Sequence, residues 1–133
     1  MKQELLDQLY KDYPVLFIKI SQKNSPYGEV YVGDGWYSVI DTLCAVLTEH
    51  IMMVIPQEIH EQVFISLIKE KFGTMRFHIN HWDDFMMGAI TMAEAQSGEL
   101  CEECGSVARL KNVKGWYRTL CEEDFVKAME AKR

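Results

Sequence analysis

The most informative stretch of this sequence is CEECGSVARLKNVKGWYRTLCEED, residues 101–124. Two cysteines that are two residues apart and followed by glycine are typical of a tight knuckle (residues 101–105), because the glycine lets the turn close with both sulfur atoms on one side. Sixteen residues separate the second cysteine from a third, and an aspartate lies three residues beyond that. This spacing predicts a structural Zn²⁺ site. Its predicted ligands are Cys101, Cys104, Cys121 and Asp124.

The residues between the knuckle and the third cysteine are predicted to form a hairpin. Residues 107–111 and 116–120 have the composition of short strands, and a polar turn separates them. Cys121 then begins a helix, and residues three apart in a first helical turn share a face, which places its sulfur beside the Asp124 carboxylate. Knuckle, hairpin and helix together predict a treble-clef-like zinc finger over residues 99–133.

The cysteines allow two alternatives to a zinc site. Cys101 and Cys104 could form a reactive redox pair, although such a pair usually begins a helix after a strand, whereas this one precedes a hairpin. The three cysteines could also be unrelated buried thiols, as we expect for Cys44, which lies on the apolar face of a predicted helix. Because a site with four protein ligands leaves no position for water, we expect the metal to fold the segment and not to catalyse a reaction.

Three helices are predicted before the cysteine segment. Apolar residues recur at helical spacing over residues 3–12, and again over residues 36–51, where Asp34 is the predicted cap. The third helix is predicted to begin at the acidic pair 83–84 and to end at the serine and glycine of 97–98.

Strands are predicted on both sides of the second helix. A strand or an apolar extended segment at 15–20 and a short strand at 29–32 precede it. An antiparallel hairpin over residues 63–80 follows it, with its turn at 72–73. These elements predict an α+β fold, in which a small antiparallel sheet is packed by two or three helices. This core domain is predicted to cover residues 1–98, before the zinc-binding segment.

The charge is unevenly distributed along the chain. The net charge is −6, and all of the excess lies in residues 1–98, which hold thirteen acidic and seven basic side chains. Residues 99–133 hold seven of each. An acidic surface repels nucleic acid on average and favours protein or small-molecule partners.

We expect a cytoplasmic protein that makes no use of a membrane. The longest apolar stretches, residues 51–56 and 63–68, fall short of the roughly 20 residues that a spanning helix needs. The first fourteen residues carry charges where a signal peptide has its apolar run. In a reducing cytosol, cysteines are more often metal ligands or buried thiols than disulfides.

Basic residues on both predicted hairpins suggest an alternative function. If the hairpins adjoin, a basic patch that carries aromatic residues could hold phosphate or single-stranded nucleic acid. The other interpretation is a solvated face whose lysines oppose edge-to-edge strand pairing. The residues concerned are Lys69, Lys71, Arg76, Arg109, Lys111, Lys114, Trp116, Tyr117 and Arg118.

A more distant alternative, a small metal-dependent hydrolase, rests on the segment HINHWDD, residues 78–84. His78 and Asn80 share one face of the predicted strand while His81 lies in the following loop, so the pattern does not imply one convergent site. The other interpretation is a polar hairpin edge followed by an acidic pair that caps the third helix.

Five of the eight methionines also allow two interpretations. They could form an adaptable binding surface or fill the core, and we expect core filling. They are Met52, Met53, Met86, Met87 and Met92.

Three segments resemble a family of small proteins from phage, prophage and bacterial genomes, most of them without an assigned function. They are GDGWYSVIDTL at 33–43, KEKFGTMRFHI at 69–79, and the cysteine segment with its CEECG and GWYRTLCEED. The family pattern usually has Cys or His in place of Asp124 and an aromatic residue in place of His78. The resemblance implies a bound metal and a phage-type origin, and it implies nothing about a substrate.

Small size, acidity and the lack of recognisable catalytic groups predict a non-enzymatic, zinc-containing interaction protein. With the resemblance, they favour a phage-encoded protein that binds or inhibits a host or defence protein. Nucleic-acid binding through the basic hairpins and hydrolysis at HINHWDD are the alternatives.

Overall fold

The computed structural model describes residues 1–131. The predicted zinc-binding segment extends to residue 133, so its last two residues lie outside this range. The helices and strands, in chain order, are α1 (Gln3–Asp12), β1 (Val30–Tyr31), α2 (Tyr37–Val54), β2 (Ile65–Lys71), β3 (Thr74–Ile79), α3 (Asp84–Ser97), β4 (Arg109–Val113), β5 (Trp116–Leu120) and α4 (Glu122–Glu130). Short 3-10 helices, Asp34–Trp36 and Gln57–Gln62, precede and follow α2. Helices combined with two small sheets confirm the predicted α+β class.

Helix α1 has the predicted bounds, but Asp34 does not cap α2 as predicted. Helix α2 begins at Tyr37, after the 3-10 helix, and no side chain caps it. The Asp34 carboxylate instead accepts a hydrogen bond from the backbone N–H of Lys2 at 2.7 Å. It therefore stabilises the start of α1, a helix 32 residues earlier in the chain.

The predicted strand at residues 15–20 is wrong, because this segment forms a series of tight turns. The backbone N–H of Phe17 donates to the carbonyl of Tyr13 at 3.2 Å, as in a helical turn. Leu16 and Phe17 are both fully buried while Ile18 is 48% exposed. A strand would alternate its buried and exposed side chains, so the apolar run here packs as turns against the core.

The three-stranded sheet is mixed, which corrects the predicted antiparallel sheet. Strands β2 and β3 form the predicted hairpin, and both turn residues, Phe72 and Gly73, have the positive φ angles of a two-residue turn. Strand β1 lies on the other edge of β2 and runs parallel to it, with Val30 opposite Ile68. It falls within the strand predicted at 29–32.

Helix α3 begins and ends as predicted and lies between β3 and α2. Asp83 caps it, because one carboxylate oxygen accepts the backbone N–H of Met86 at 2.9 Å. This cap satisfies one of the unpaired N–H groups at the helix start.

One hydrophobic core joins α1, α2, α3 and the three-stranded sheet. Cys44 is fully buried in it, as predicted. Of the five methionines expected to fill the core, only Met86 is fully buried, so the prediction is wrong for the exposed Met52, Met53, Met87 and Met92. The largest fully buried side chains include Trp36, Phe17, Leu9, Leu16, Ile40, Leu47 and Ile51.

The helical stretch Asp34–Val54 is long and apolar enough to cross a membrane by length and composition alone. The core helix of a soluble protein meets the same criteria. Leu43, Leu47 and Ile51 lie in the hydrophobic core, as such a helix requires.

In the second hairpin, β5 has the predicted bounds, whereas β4 is displaced by two residues from its prediction. Strand β4 covers Arg109–Val113 and not 107–111, because the turn consists only of Lys114 and Gly115, both with positive φ. A two-residue turn of this kind lets the strands pair up to the turn itself. Helix α4 follows Cys121 directly, as predicted.

We refer to residues 1–98 as the body and to residues 99–131 as the tail. The tail has its own small group of buried residues, Cys101, Ala108, Val113 and Leu120. The boundary between two domains at this position stays a prediction.

Candidate metal centre

Four side chains from the two ends of the tail meet at one point. Cys101 and Cys104 come from the knuckle, whereas Cys121 and Asp124 come from the start of α4. One ligand atom from each residue lies within 4.8 Å of the other three. These are the four predicted ligands, and in residues 1–131 they form the only such cluster of three or more His, Cys, Asp or Glu side chains.

Backbone hydrogen bonds shape the knuckle. The N–H of Gly105 donates to the carbonyl of Cys101 at 2.8 Å, and the N–H of Cys101 donates to the carbonyl of Ser106 at 2.7 Å. Gly105 has a φ of +82°, which glycine adopts without strain. The closed turn leaves the Cys101 side chain buried and the Cys104 side chain exposed.

The start of α4 brings the other two ligands together. The sulfur of Cys121 caps the helix by accepting the N–H of Asp124 at 3.4 Å. One carboxylate oxygen of Asp124 lies 3.2 Å from the sulfur of Cys101 and 3.3 Å from that of Cys121. Residues three apart in the first turn therefore share a face, as the sequence predicts.

Three of the distances between the ligand atoms are close to those of a tetrahedral metal site, such as one that holds zinc. Zinc–sulfur bonds of about 2.3 Å separate two sulfur ligands by roughly 3.8 Å, and a carboxylate oxygen lies roughly 3.6 Å from each sulfur. The sulfur atoms of Cys104 and Cys121 are 3.8 Å apart. The two distances from the Asp124 oxygen are a few tenths of an ångström shorter, a difference that a small side-chain rotation removes. Three thiolates and one carboxylate are ligands that zinc accepts.

The electrostatic environment differs between the thiols. Burial raises the pKa of the Cys101 thiol to about 11, although the backbone N–H groups of Cys121 and Cys104 oppose this shift. The hydroxyl of Ser106 lowers the pKa of Cys104. Hydrogen bonds from the thiols, chiefly from Cys101, lower the pKa of Asp124. Metal binding requires the thiolate form, so it has to displace the thiol proton of Cys101, whereas the lowered pKa of Cys104 favours that form already.

Contacts that no sequence pattern predicted hold the knuckle against the body. The N–H of Gly33 donates to the carboxylate of Glu102 at 3.0 Å, and the N–H of Gly35 donates to the Glu102 carbonyl at 2.7 Å. The indole N–H of Trp36 donates to the carbonyl of Leu100 at 2.9 Å. Burial raises the pKa of Glu102. The two glycines that flank Asp34 were the available signal for this close backbone approach.

The glycine at position 35 allows the body to approach the knuckle closely. A Cβ atom on Gly35 would lie 2.0 Å from the carbonyl oxygen of Cys101 and 2.5 Å from the nitrogen of Gly105. The turn of the β2–β3 hairpin makes a separate contact, in which the Thr119 hydroxyl donates to the carbonyl of Gly73 at 2.5 Å. The three segments that carry the resemblance therefore meet where the body contacts the tail.

The basic residues of the tail are largely engaged by other groups. Lys111 forms an ion pair with Glu122, and a guanidinium nitrogen of Arg118 lies 2.6 Å from the Glu103 carboxylate. Arg109 donates to the carbonyl of its neighbour Ala108, and Lys114 donates to the carbonyl of Ala131. The aromatic side chains of Trp116 and Tyr117 are exposed beside them.

The basic residues of the body lie on the first hairpin, in strands β2 and β3. Lys69 and Arg76 are opposite each other on β2 and β3, and Lys71 follows on the same face. In residues 1–131, none of these three forms an ion pair. The hairpins touch at Gly73. On the second hairpin, Arg109 and Lys114 also form no ion pair within residues 1–131, but both donate to backbone carbonyls.

The structure does not bring the HINHWDD residues together. His78 is exposed on β3, whereas the Asn80 amide donates to the carbonyl of Gln62. Asp83 caps α3, and its second oxygen lies 2.5 Å from the Nε2 atom of His50. His50 lies 33 residues earlier, on α2, and no local pattern indicated this pairing.

Comparison with known proteins finds no matching family, no matching curated protein and no matching solved structure. The resemblance to phage and prophage proteins therefore stays a prediction. The function therefore has to be inferred from the geometry and chemistry of the residues described above.

Proposed function

We propose that this protein is a non-enzymatic interaction protein whose tail is folded by one structural Zn²⁺. The convergence of four ligand atoms within 4.8 Å carries this proposal. Three thiolates and a carboxylate complete the tetrahedral coordination of zinc and leave no position for water or a substrate. Such an ion stabilises a fold and takes no part in a reaction.

The order of elements in the tail supports a treble-clef-like zinc finger. Two ligands come from the knuckle, a β-hairpin follows, and the other two ligands come from the first turn of the helix after the hairpin. Each ligand pair is presented by a local structure that the backbone itself stabilises.

The surface supports a protein partner. The net charge is −6, and large apolar side chains such as Met53, Met92 and Trp116 are more than 70% exposed. Exposed apolar side chains that form a contiguous patch mark interaction sites. The resemblance of the three segments to phage proteins leads us to place this partner in a bacterial cytoplasm, as a host or defence protein that is bound or inhibited.

The metal content tests the proposal directly. We expect about one zinc per chain by elemental analysis of protein purified without chelator. Cys121→Ser should lose the metal, and Asp124→Cys should keep it, because a fourth thiolate is a common zinc ligand. Cys44→Ala is the matched control, since Cys44 is buried in the body and should leave the zinc content unchanged. Zinc retained in full by Cys121→Ser would contradict the proposed site.

Nucleic-acid binding is the second candidate function, and the unpaired Lys69, Lys71 and Arg76 on one sheet face favour it. It predicts binding of single-stranded DNA that falls steeply with salt and is lost in the double variant Lys69→Gln/Arg76→Gln. Under the leading proposal, the protein does not bind single-stranded DNA at physiological ionic strength. Fluorescence anisotropy of a labelled oligonucleotide separates the two.

A further inference from the structure

A groove runs between α2 and α3 along the surface of the body. At one end, beside the knuckle, a depression of about 420 Å³ is lined by residues such as Val46, Ala89 and Met92. A second depression of about 270 Å³ continues from Val46 to Met53 and Phe85 at the other end. Val46 lines both depressions, and we refer to the two together as the α2–α3 groove.

The walls of the α2–α3 groove are apolar and exposed. Met53 and Met92 are 76% and 73% exposed, and Phe85 is 54% exposed. These are the methionines whose expected place was the core. Methionine is flexible and polarisable, and exposed methionines are used at surfaces that accept apolar side chains of varied shape.

Gly88 gives a second, independent indication that another element packs against this surface of α3. It lies inside α3, where glycine destabilises a helix relative to alanine. A Cβ atom there would meet no atom within 4 Å, so no contact in residues 1–131 requires glycine. Gly88 is exposed and lies one turn from both Phe85 and Met92 on the helix surface. A missing side chain at this point lets the backbone of another element approach α3 closely.

The titratable side chains that line or flank the groove are carboxylates, apart from His50, whose Nε2 atom lies 2.5 Å from the Asp83 carboxylate. Neither α2 nor α3 contains a lysine or an arginine. Asp41 and Glu94 on these helices accept hydrogen bonds from the body. Glu49, which lines the groove, and Asp84, which precedes Phe85, are exposed, and no ion pair in residues 1–131 includes them.

We propose that the α2–α3 groove binds a basic amphipathic helix of a partner protein. The apolar face of that helix would contact the methionines and Phe85, its backbone would cross α3 at Gly88, and its lysines or arginines would face Glu49 and Asp84. A second copy of this chain fits less well, because two such faces would bring carboxylates together without a cation. The inference rests on the proposed function in one respect, that the partner is a protein.

The test uses a synthetic peptide, about 18 residues long, with leucines at helical spacing on one face and lysines elsewhere. The control peptide has the same leucines and glutamates in place of the lysines. We expect the lysine peptide to bind at least tenfold more tightly by fluorescence anisotropy, and its binding to shift amide signals of α2 and α3 in NMR spectra. Equal affinity of the two peptides, or signal changes confined to other surfaces, would overturn the proposal.

Gly88→Leu separates loss of binding from loss of folding. Leucine favours the helix and enters open space, so the melting temperature should equal or exceed that of the unmodified protein. Binding of the lysine peptide should nevertheless fall at least tenfold, because the new side chain occupies the crossing point. Thr91→Leu is the matched control, since Thr91 is exposed on α3 but lies farther around the helix from Phe85 and Met92 than Gly88 does, and binding should change less than twofold.

The remaining outcomes are distinct from those for the zinc site. If Gly88→Leu binds the peptide normally, the groove is excluded while the proposed zinc site is unaffected. If the free protein is a dimer that Gly88→Leu dissociates, the groove binds a second copy and the proposed occupant is wrong. Absence of zinc would contradict the metal centre without affecting peptide binding to the body.

Discussion

The body and the tail reach a folded state by different means. Twenty-three buried residues form the core of the body, whereas four form that of the tail, one of them the proposed ligand Cys101. A segment of this size rarely buries enough apolar surface to fold alone, and small natural domains add a metal or disulfides. The difference indicates that the body is held by hydrophobic burial, whereas the tail depends on its contacts with the body and, as we propose, on a bound metal ion.

Removing the metal should have the largest effect, and it should be confined to the tail. Structural zinc contributes about 10–16 kcal/mol of apparent binding free energy in finger peptides at neutral pH. We expect a strong chelator, or Cys121→Ser, to abolish the protection of amide hydrogens in β4, β5 and α4. Strands β2 and β3 should stay protected. Hydrogen exchange read by mass spectrometry measures both regions at once.

Cys44→Ala is the control for that comparison. The cavity left by the missing thiol should lower the stability of the body by about 1–3 kcal/mol. The tail should keep its metal, and its amide hydrogens should stay protected from exchange. If chelation instead unfolds body and tail together, the two regions are one cooperative unit and the contrast between them is wrong.

Gly35→Ala should have the next largest effect, because it acts at the junction. The added methyl group would lie 2.0 Å from the Cys101 carbonyl oxygen, and a backbone atom cannot rotate away. We expect a loss of about 1–3 kcal/mol in the free energy of unfolding, with weaker zinc binding as the knuckle is displaced. Urea denaturation and competition with a zinc indicator measure the two effects.

The matched control for this substitution is Gly88→Ala. It makes the same chemical change where the methyl group meets nothing within 4 Å, and it should stabilise the protein by up to about 1 kcal/mol. Equal effects of the two substitutions would show that the junction does not depend on close backbone approach.

Local patterns predicted much of this structure, and the errors come from contacts distant in sequence. The bounds of α1, the hairpin turn at Phe72 and Gly73, and the shared face of Cys121 and Asp124 all depend on residues a few positions apart. Such spacing is visible in the sequence. The partner of the Asp34 carboxylate lies 32 residues away, and no local rule identifies it.

The body–tail contacts and the sheet topology were missed for the same reason. Glu102 lies 69 residues from the Gly33 N–H that it binds, and β1 pairs with a strand beyond a complete helix. The segment at 15–20 has the composition of a strand, but the adjacent residues Leu16 and Phe17 are both buried in the core, which the alternating side chains of a strand do not allow. Tertiary packing here overrides local preference.

The smallest expected effect concerns a contact inside the body that does not involve the metal. Asp83 caps α3 and lies 2.5 Å from His50, so Asp83→Ala should lower the free energy of unfolding by about 1 kcal/mol. Asp84→Ala, one residue further on, is the control and should cost less, because that exposed carboxylate makes only the weaker first-turn interaction. Urea denaturation of the two variants at neutral pH measures the difference.

The pH dependence of the same pair sharpens this test. Burial raises the pKa of Asp83, but the hydrogen bonds from His50 and from the Met86 N–H outweigh it, so the pKa lies below its ordinary value of 3.8. A carboxylate with a lowered pKa stabilises the fold above its unfolded-state pKa and loses that effect as the pH falls through its folded-state pKa. The difference in the free energy of unfolding between the unmodified protein and Asp83→Ala should therefore be constant near neutrality and shrink in acid. Any loss of metal in acid affects both proteins alike, so this difference reports on Asp83. A difference that grows as the pH falls would mean that His50 and the helix start do not favour the ionised carboxylate.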